Sequence, residues 1–153
     1  MTLDDELAAL AEQEARLCTP PLDGDALWRL GSRVVALATR PVTVEIVVGE
    51  QLRFHYAMPG TTSSHALWVQ RKARLARHFD RASLSVGLQL QREGKSLSER
   101  FGLDPAAFAP YGGAVPLRIA GLGCVGSLAV SGLPQRDDHA LAAAALAECQ
   151  GLH

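Results

Sequence analysis

The stretch from Gly126 to His139 constrains the fold more than any other part of the chain. An apolar run ends at Val130, turns through Ser131 and Gly132, and gives way to a helix opening at Pro134. Proline has no N–H to lose and a preset φ, so it suits the first turn of a helix, and Asp137 and Asp138 follow where the helix dipole favours negative charge. The helix predicted beyond them, about 135–150, is rich in alanine, so it can lie close against the sheet that the strand has just left.

Upstream, the elements are read from periodicity. Leu3, Leu7, Leu10 or Ala11, and Leu17 fall at helical spacing before Pro20 and Pro21. Asp23 or Asp25 caps a second helix reaching about Ala38, with Leu27, Leu30, Val34 and Leu37 on its inner face. Residues 42–48 and 52–57 read as a hairpin. A three-residue loop at 49–51 is expected, because it gathers Val44, Ile46, Val48, Leu52 and Phe54 on one face. That register places Glu45 across from His55, within cross-strand contact.

Ser63 or Ser64 caps a helix over about 65–79. Leu84, Val86, Leu88 and Leu90 alternate like a strand, while Leu84 and Leu88 also suit a helix turn, so local pattern leaves 82–90 open. Residues 94–109 read as a loop with one or two short helical turns, Asp104-Pro105 being a start signal. Residues 114–120 and 124–131 form a second hairpin, in which Pro116 demands an edge position or a strand start. Hairpins rather than single crossovers join the strands, which predicts a mainly antiparallel sheet flanked by helices, an α+β fold.

At 153 residues, one domain with a full core is expected over 1–153, the helix within 1–20 packing either on it or on a neighbouring subunit. A formal net charge of -1 sets up no global field for nucleic acid or a membrane surface. No basic segment followed by an apolar run opens the chain, so a cytoplasmic protein is expected. Cys18, Cys124 and Cys149 are odd in number and lack C-x-x-C spacing, which argues for free thiols over disulfides or zinc.

Lys72 breaks its local pattern. On the helix containing it, Trp68, Leu75 and Phe79 form a narrow apolar stripe, and Lys72 projects from its middle with Arg71 at the edge. Such a lysine snorkels out, pairs with a carboxylate, or lines a cavity that receives an anion. The five cations between Arg71 and Arg81 are spread round the helix without interleaved aromatics, which suits a solvated face or subunit contact better than nucleic acid. The turn Ser131-Gly132-Leu133 is placed to offer backbone N–H groups to an anion, although it is neither a Walker loop nor a dinucleotide fingerprint. Five histidines show no paired metal-ligand spacing, so no preformed metal site is expected. A haem needs a single axial imidazole, which His55, His65, His78 or His139 could supply. Glu45, His55 and His139 are the acid-base candidates, and no nucleophile constellation stands out.

Leu67-Trp-Val-Gln-Arg-Lys72, Tyr111-Gly-Gly113 before Pro116, and Val130-Ser-Gly-Leu-Pro-Gln-Arg-Asp-Asp-His139 together resemble the HbpS-like "haem-degrading domain" family, in particular its uncharacterised branch. The likeness covers about Leu27 to Leu146, and departs where Gly112-Gly-Ala-Val-Pro116 stands for an expected Gly-Gly-Gly-Phe-Pro. The resemblance implies a profilin-like sandwich, favours helix for 82–90, and implies symmetric homo-oligomers and haem as a ligand. Three readings follow. The first is an oligomer binding a small anionic molecule through Lys72, Arg71, Ser131, Gly132, Leu133 and His139. The others are an enzyme of unknown reaction, such as haem breakdown, and a structural or partner-binding assembly without a ligand.

Overall fold

In the computed structural model, which describes residues 1–17, 19 and 21–150, two hairpins join into one four-stranded antiparallel sheet. Strand β1 (Thr43–Val48) and β2 (Gln51–Ala57) make the first hairpin, β3 (Ala114–Ile119) and β4 (Gly123–Ser131) the second. The order β2-β1-β4-β3 leaves β3 on an edge, where Pro116 has no ladder hydrogen bond to forfeit. Cys18 and Pro20 lie outside the described residues; Cys124 and Cys149 are free thiols.

Helices cover both faces of this sheet, giving the profilin-like α+β sandwich. On one face Val44, Ile46, Leu117, Leu128 and Val130 pack against helix α2 (Gly24–Leu37) and helix α6 (Gln135–Gln150), through Leu27, Leu30, Val34, Ala142 and Leu146. The other face receives helix α3 (Ser63–Phe79), whose Val69, Ala73 and Ala76 meet Ala114 and Ala129. These small side chains let α3 approach the strands closely. Helix α4 (Ser83–Glu93) joins the β3 edge, where the Ser83 hydroxyl accepts the Ala114 amide N–H at 3.0 Å. The resemblance-based helix for 82–90 is thus the observed one.

Besides the cap of α3, which is Thr62 and not Ser63 or Ser64, two local expectations are corrected. The first hairpin closes through a two-residue turn, Gly49–Glu50, with Val48 opposite Gln51 and Gly49 at φ 63°, a conformation glycine adopts without penalty. A bulge between Ile46 and Val47 then takes up one residue of β2, so Glu45 still faces His55. Second, Asp104-Pro105 starts only a turn. The short helix α5 (Leu97–Phe101) begins instead at Ser96, whose hydroxyl accepts the Glu99 amide while the Glu99 carboxylate accepts that of Ser96.

Helix α1 (Leu3–Arg16) lies on α4, burying Leu10 against Leu84 and Leu88. Polar contacts strap it down: Arg92 to Asp4, Arg136 to Glu6, and the Ala82 amide and Arg118 to Glu14. Beneath it, Gln13 Oε1 lies 2.7 Å from His139 Nε2. His139 is 4% exposed, and its Nδ1 has no hydrogen-bond partner among the described residues.

Burial pushes the His139 imidazole down to about 4 from an ordinary 6.5, so the folded protein holds it neutral. The unfolded chain binds a proton there below pH 6.5 and the folded chain only near pH 4, so stability is lost as the pH falls through that window. By pH 4 the loss amounts to about 3 kcal/mol. Urea denaturation at pH 7 and pH 4 should show this component, and His139→Gln, which keeps an amide for Gln13 without titrating, should remove it.

Candidate functional site

The residue that broke the helical pattern marks the site. Lys72 is 4% exposed, and its Nζ donates to Asp138 Oδ2 at 3.0 Å and to the Val130 carbonyl at 3.2 Å. The three partners come from three elements: α3 on one face of the sheet, α6 on the other, and β4 between them where it ends. Lys72 therefore ties the two helical layers together across the end of the sheet.

Asp138 is 1% exposed, and its second oxygen faces the turn before α6. Oδ1 accepts the Leu133 amide N–H at 3.0 Å, with the Gly132 amide contributing as well. The anion received by the Ser131–Leu133 turn is thus the chain's own carboxylate. Burial pulls the Lys72 ammonium down and the Asp138 carboxyl up; their mutual attraction opposes both shifts, aided on Asp138 by the two turn amides.

Backbone geometry makes room for this pair. Gly113 sits at φ 140°, and a Cβ there would stand 2.3 Å from the Val130 oxygen and 3.0 Å from Lys72 Nζ. The Tyr111-Gly-Gly segment matters because no side chain fits between the loop and the ion pair. Gly132, at φ 148°, is similarly pressed against the Pro41 carbonyl, which a Cβ would approach to 2.5 Å.

A cleft of about 300 Å³ opens beside the pair. From α3 come Ser64, His65 and Trp68 alongside Lys72, and Tyr111 stands across from them with its ring 5.7 Å edge-on from Trp68. Ser131, Gly132 and Leu133 form the floor by the turn, and Gln135 and Asp138 close it from α6. First-turn residues of two long helices line the same space, so two positive dipole ends converge there. Of the residues singled out from sequence, Lys72, His65, Ser131, Gly132 and Leu133 come together.

Arg71 does not line the cleft. Its guanidinium stacks 4.6 Å over the Trp68 ring and donates to the Pro105 carbonyl at 2.6 Å, so it backs the cleft wall. His139 turns to the α1 side of α6. Glu45 and His55 face each other on the α3 side of the sheet, Oε2 to Nδ1 3.7 Å, outside the cleft. Burial pushes the Glu45 carboxyl up, against the pull of His55 and Arg77. Among the described residues no group of three or more His, Cys, Asp or Glu side chains could hold a metal ion.

Ser64, Trp68, Tyr111, Gln135 and Asp138 are the site residues that sequence reasoning did not assign. The acids at 137 and 138 were legible as helix-start charges, but nothing local indicates which of them turns inward. Removing Lys72 alone leaves a buried carboxylate without its cation. Lys72→Met should therefore cost about 3–5 kcal/mol in urea denaturation. Adding Asp138→Asn, which keeps an oxygen for the turn amide without the charge, should recover most of it.

Comparisons with known proteins agree with this architecture. The "UPF0303 protein" of Serratia proteamaculans (strain 568) is 43% identical over 155 residues, covering 99% of this chain and 96% of the relative. That of Azotobacter vinelandii (strain DJ / ATCC BAA-1303) is 46% identical over 150 residues, covering 96% and 90%. Among solved structures, the Ybr137w protein superposes with a TM-score of 0.85 at 25% identity, covering 96% of this chain and 90% of its own. A PduOC:heme complex shares the fold at TM-score 0.70 and 22% identity, with coverage of 82% and 93%. The family described as "Haem degrading protein HbpS-like" matches residues 22–147, a span holding both hairpins, the Lys72–Asp138 pair and the whole cleft, and the chain belongs to that family.

Proposed function

We propose that this protein is a cytoplasmic, self-associating binder of a small anionic molecule, and that the cleft beside Lys72 is the receptor. The observation that supports this reading is a lysine held at 4% exposure in the wall of a cleft onto which two helix N-termini converge. An ammonium carries three N–H groups, and two are used by Asp138 and Val130. The third, the dipole ends of α3 and α6, and the hydroxyls of Ser64 and Ser131 remain for a ligand. Because Asp138 already neutralises Lys72, the attraction for an anion comes from partial charges and hydrogen bonds and suits a modestly charged guest.

Haem is the candidate brought by the family description and by the PduOC:heme neighbour. The donors of the cleft suit its carboxylates, and a porphyrin would extend past a space of about 300 Å³ onto Trp68 and Tyr111. Neither His139, beneath α1, nor His55, on the sheet face, reaches this space. Titration with haem should give a saturable Soret shift that weakens in the Lys72→Met/Asp138→Asn protein. Binding that never saturates would reject haem.

Self-association has its own support. A groove of about 430 Å³ between α2 and β2 is lined by Trp28, Val35, Phe54 and Tyr56. Trp28 at its rim is 67% exposed, and nearby Leu52 and Tyr56 are 54% and 44% exposed. Apolar surface concentrated beside an edge strand suits a subunit contact. Light scattering should report a multimer, and Trp28→Glu should lower its mass; a monomer in the unsubstituted protein would reject self-association.

A further inference from the structure

Histidine 65 lines the cleft, and its tautomer is set by the start of α3. The Thr62 backbone N–H donates to His65 Nδ1 at 3.0 Å, and the Thr62 hydroxyl lies 3.4 Å from the same nitrogen. A peptide N–H is only ever a donor, so Nδ1 must present its lone pair, and the neutral ring then carries its proton on Nε2. Among the described residues only Thr62 hydrogen-bonds this ring, which leaves Nε2–H unengaged on a residue that lines the cleft. That nitrogen offers a hydrogen and no lone pair.

Gln135 and Lys72 add donors of the same kind, and the hydroxyls of Ser64, Ser131 and Tyr111 can turn a hydrogen toward the same space. Gln135 Oε1 accepts the Gly112 amide at 3.0 Å, which leaves the Gln135 NH2 as a donor. One Lys72 N–H remains, and the lysine lies two turns along α3 on the His65 side, leaning back toward the helix N-terminus. The carboxylate in the cleft, Asp138, has both oxygens engaged by Lys72 and the turn amides. Three donors with no lone pair to offer, beside hydroxyls that can also donate, call for an acceptor. A doubly charged phosphate would set two further negative charges beside Asp138, whose compensating cation is already spent, whereas a single carboxylate adds only one, spread over two oxygens.

We infer that the cleft takes a small monocarboxylate received by the Nε2–H of His65, and that His65 is a specificity-determining donor and not an iron ligand. This rests on the proposed binding function, since it assigns the ligand class of that same cleft. It also bears on haem, because an axial bond needs an imidazole lone pair that the Thr62 contact directs away from the cleft.

The tautomer can be tested without any ligand. Nitrogen-15 NMR of the histidine rings in the full chain, with the His65 signal assigned by its loss in His65→Leu, should show a protonated Nε2 and an unprotonated Nδ1; the reverse pattern overturns the inference. Titration with benzoate, inorganic phosphate and haem tests the class. Benzoate should saturate and move the His65 ring signals, more tightly than phosphate. His65→Leu should weaken benzoate about tenfold or more, whereas His65→Asn, which can accept from Thr62 through its oxygen and donate through its NH2, should restore it to within a few-fold. Phosphate binding as tight as benzoate, or benzoate binding indifferent to His65→Leu, overturns the monocarboxylate assignment. If haem binds, its Soret position should be unchanged in His65→Asn; a shift to the spectrum of a lost axial ligand overturns the donor role. No saturable binding by all three probes overturns the binding function itself, and with it the ligand class, an outcome distinct from a reversed tautomer.

Discussion

The buried pair of Lys72 and Asp138 is the contact on which the arrangement of the site depends. Its members lie 66 residues apart and belong to helices on opposite faces of the sheet, so they meet only where β4 ends and no strand intervenes. Taking two charges out of water costs several kcal/mol for each ion, and their attraction repays this only when the remaining hydrogen-bonding capacity is also used. Here it largely is: Asp138 accepts from the lysine and the turn, and the lysine adds the Val130 carbonyl. The pair contributes geometry more than net stability, setting the distance between α3 and α6 and hence the width of the cleft.

Glycine makes that geometry possible. At position 113 the loop backbone passes so near the ion pair that a single methyl group would displace either the Val130 oxygen or the ammonium. The turn at 132 is equally close to the start of β1. A cleft bounded by backbone on two sides has little freedom to reshape, which fits preorganised donors better than induced fit. The departure at Ala114-Val115 falls just beyond, with both side chains buried in β3, Ala114 against α3 and Val115 in the opposite core, so it alters the packing behind the cleft and none of its lining.

Sequence reasoning reached most elements, and its misses have physical causes. Glu45 opposite His55 followed from grouping apolar residues on one face, yet the chain reaches that register by a tight turn plus a bulge where a longer loop was expected. The two routes are equivalent in residue count and differ only in backbone conformation, to which hydrophobic pattern is blind. Asp104-Pro105 carried a helix-start signal, but Pro110 follows five residues after Pro105 and bars the helical conformation just before it, so only a turn fits. The segment 82–90 was undecided because both its readings bury the same leucines, and only neighbours, here α1 and α3, supply the helical partners.

What the sequence determined by itself is the antiparallel α+β layering, the placement of the closing helix, and the anomaly of a lysine on an apolar stripe, because each depends on periodicity and turn chemistry within a few residues. Tertiary structure decided the rest: that Asp138 and not Asp137 turns inward, that His139 lies beneath α1, that Arg71 backs a tryptophan, and that His65 lines the cleft. Those outcomes depend on which helix faces meet across a sheet, and long-range packing is not encoded in any local stretch of the chain.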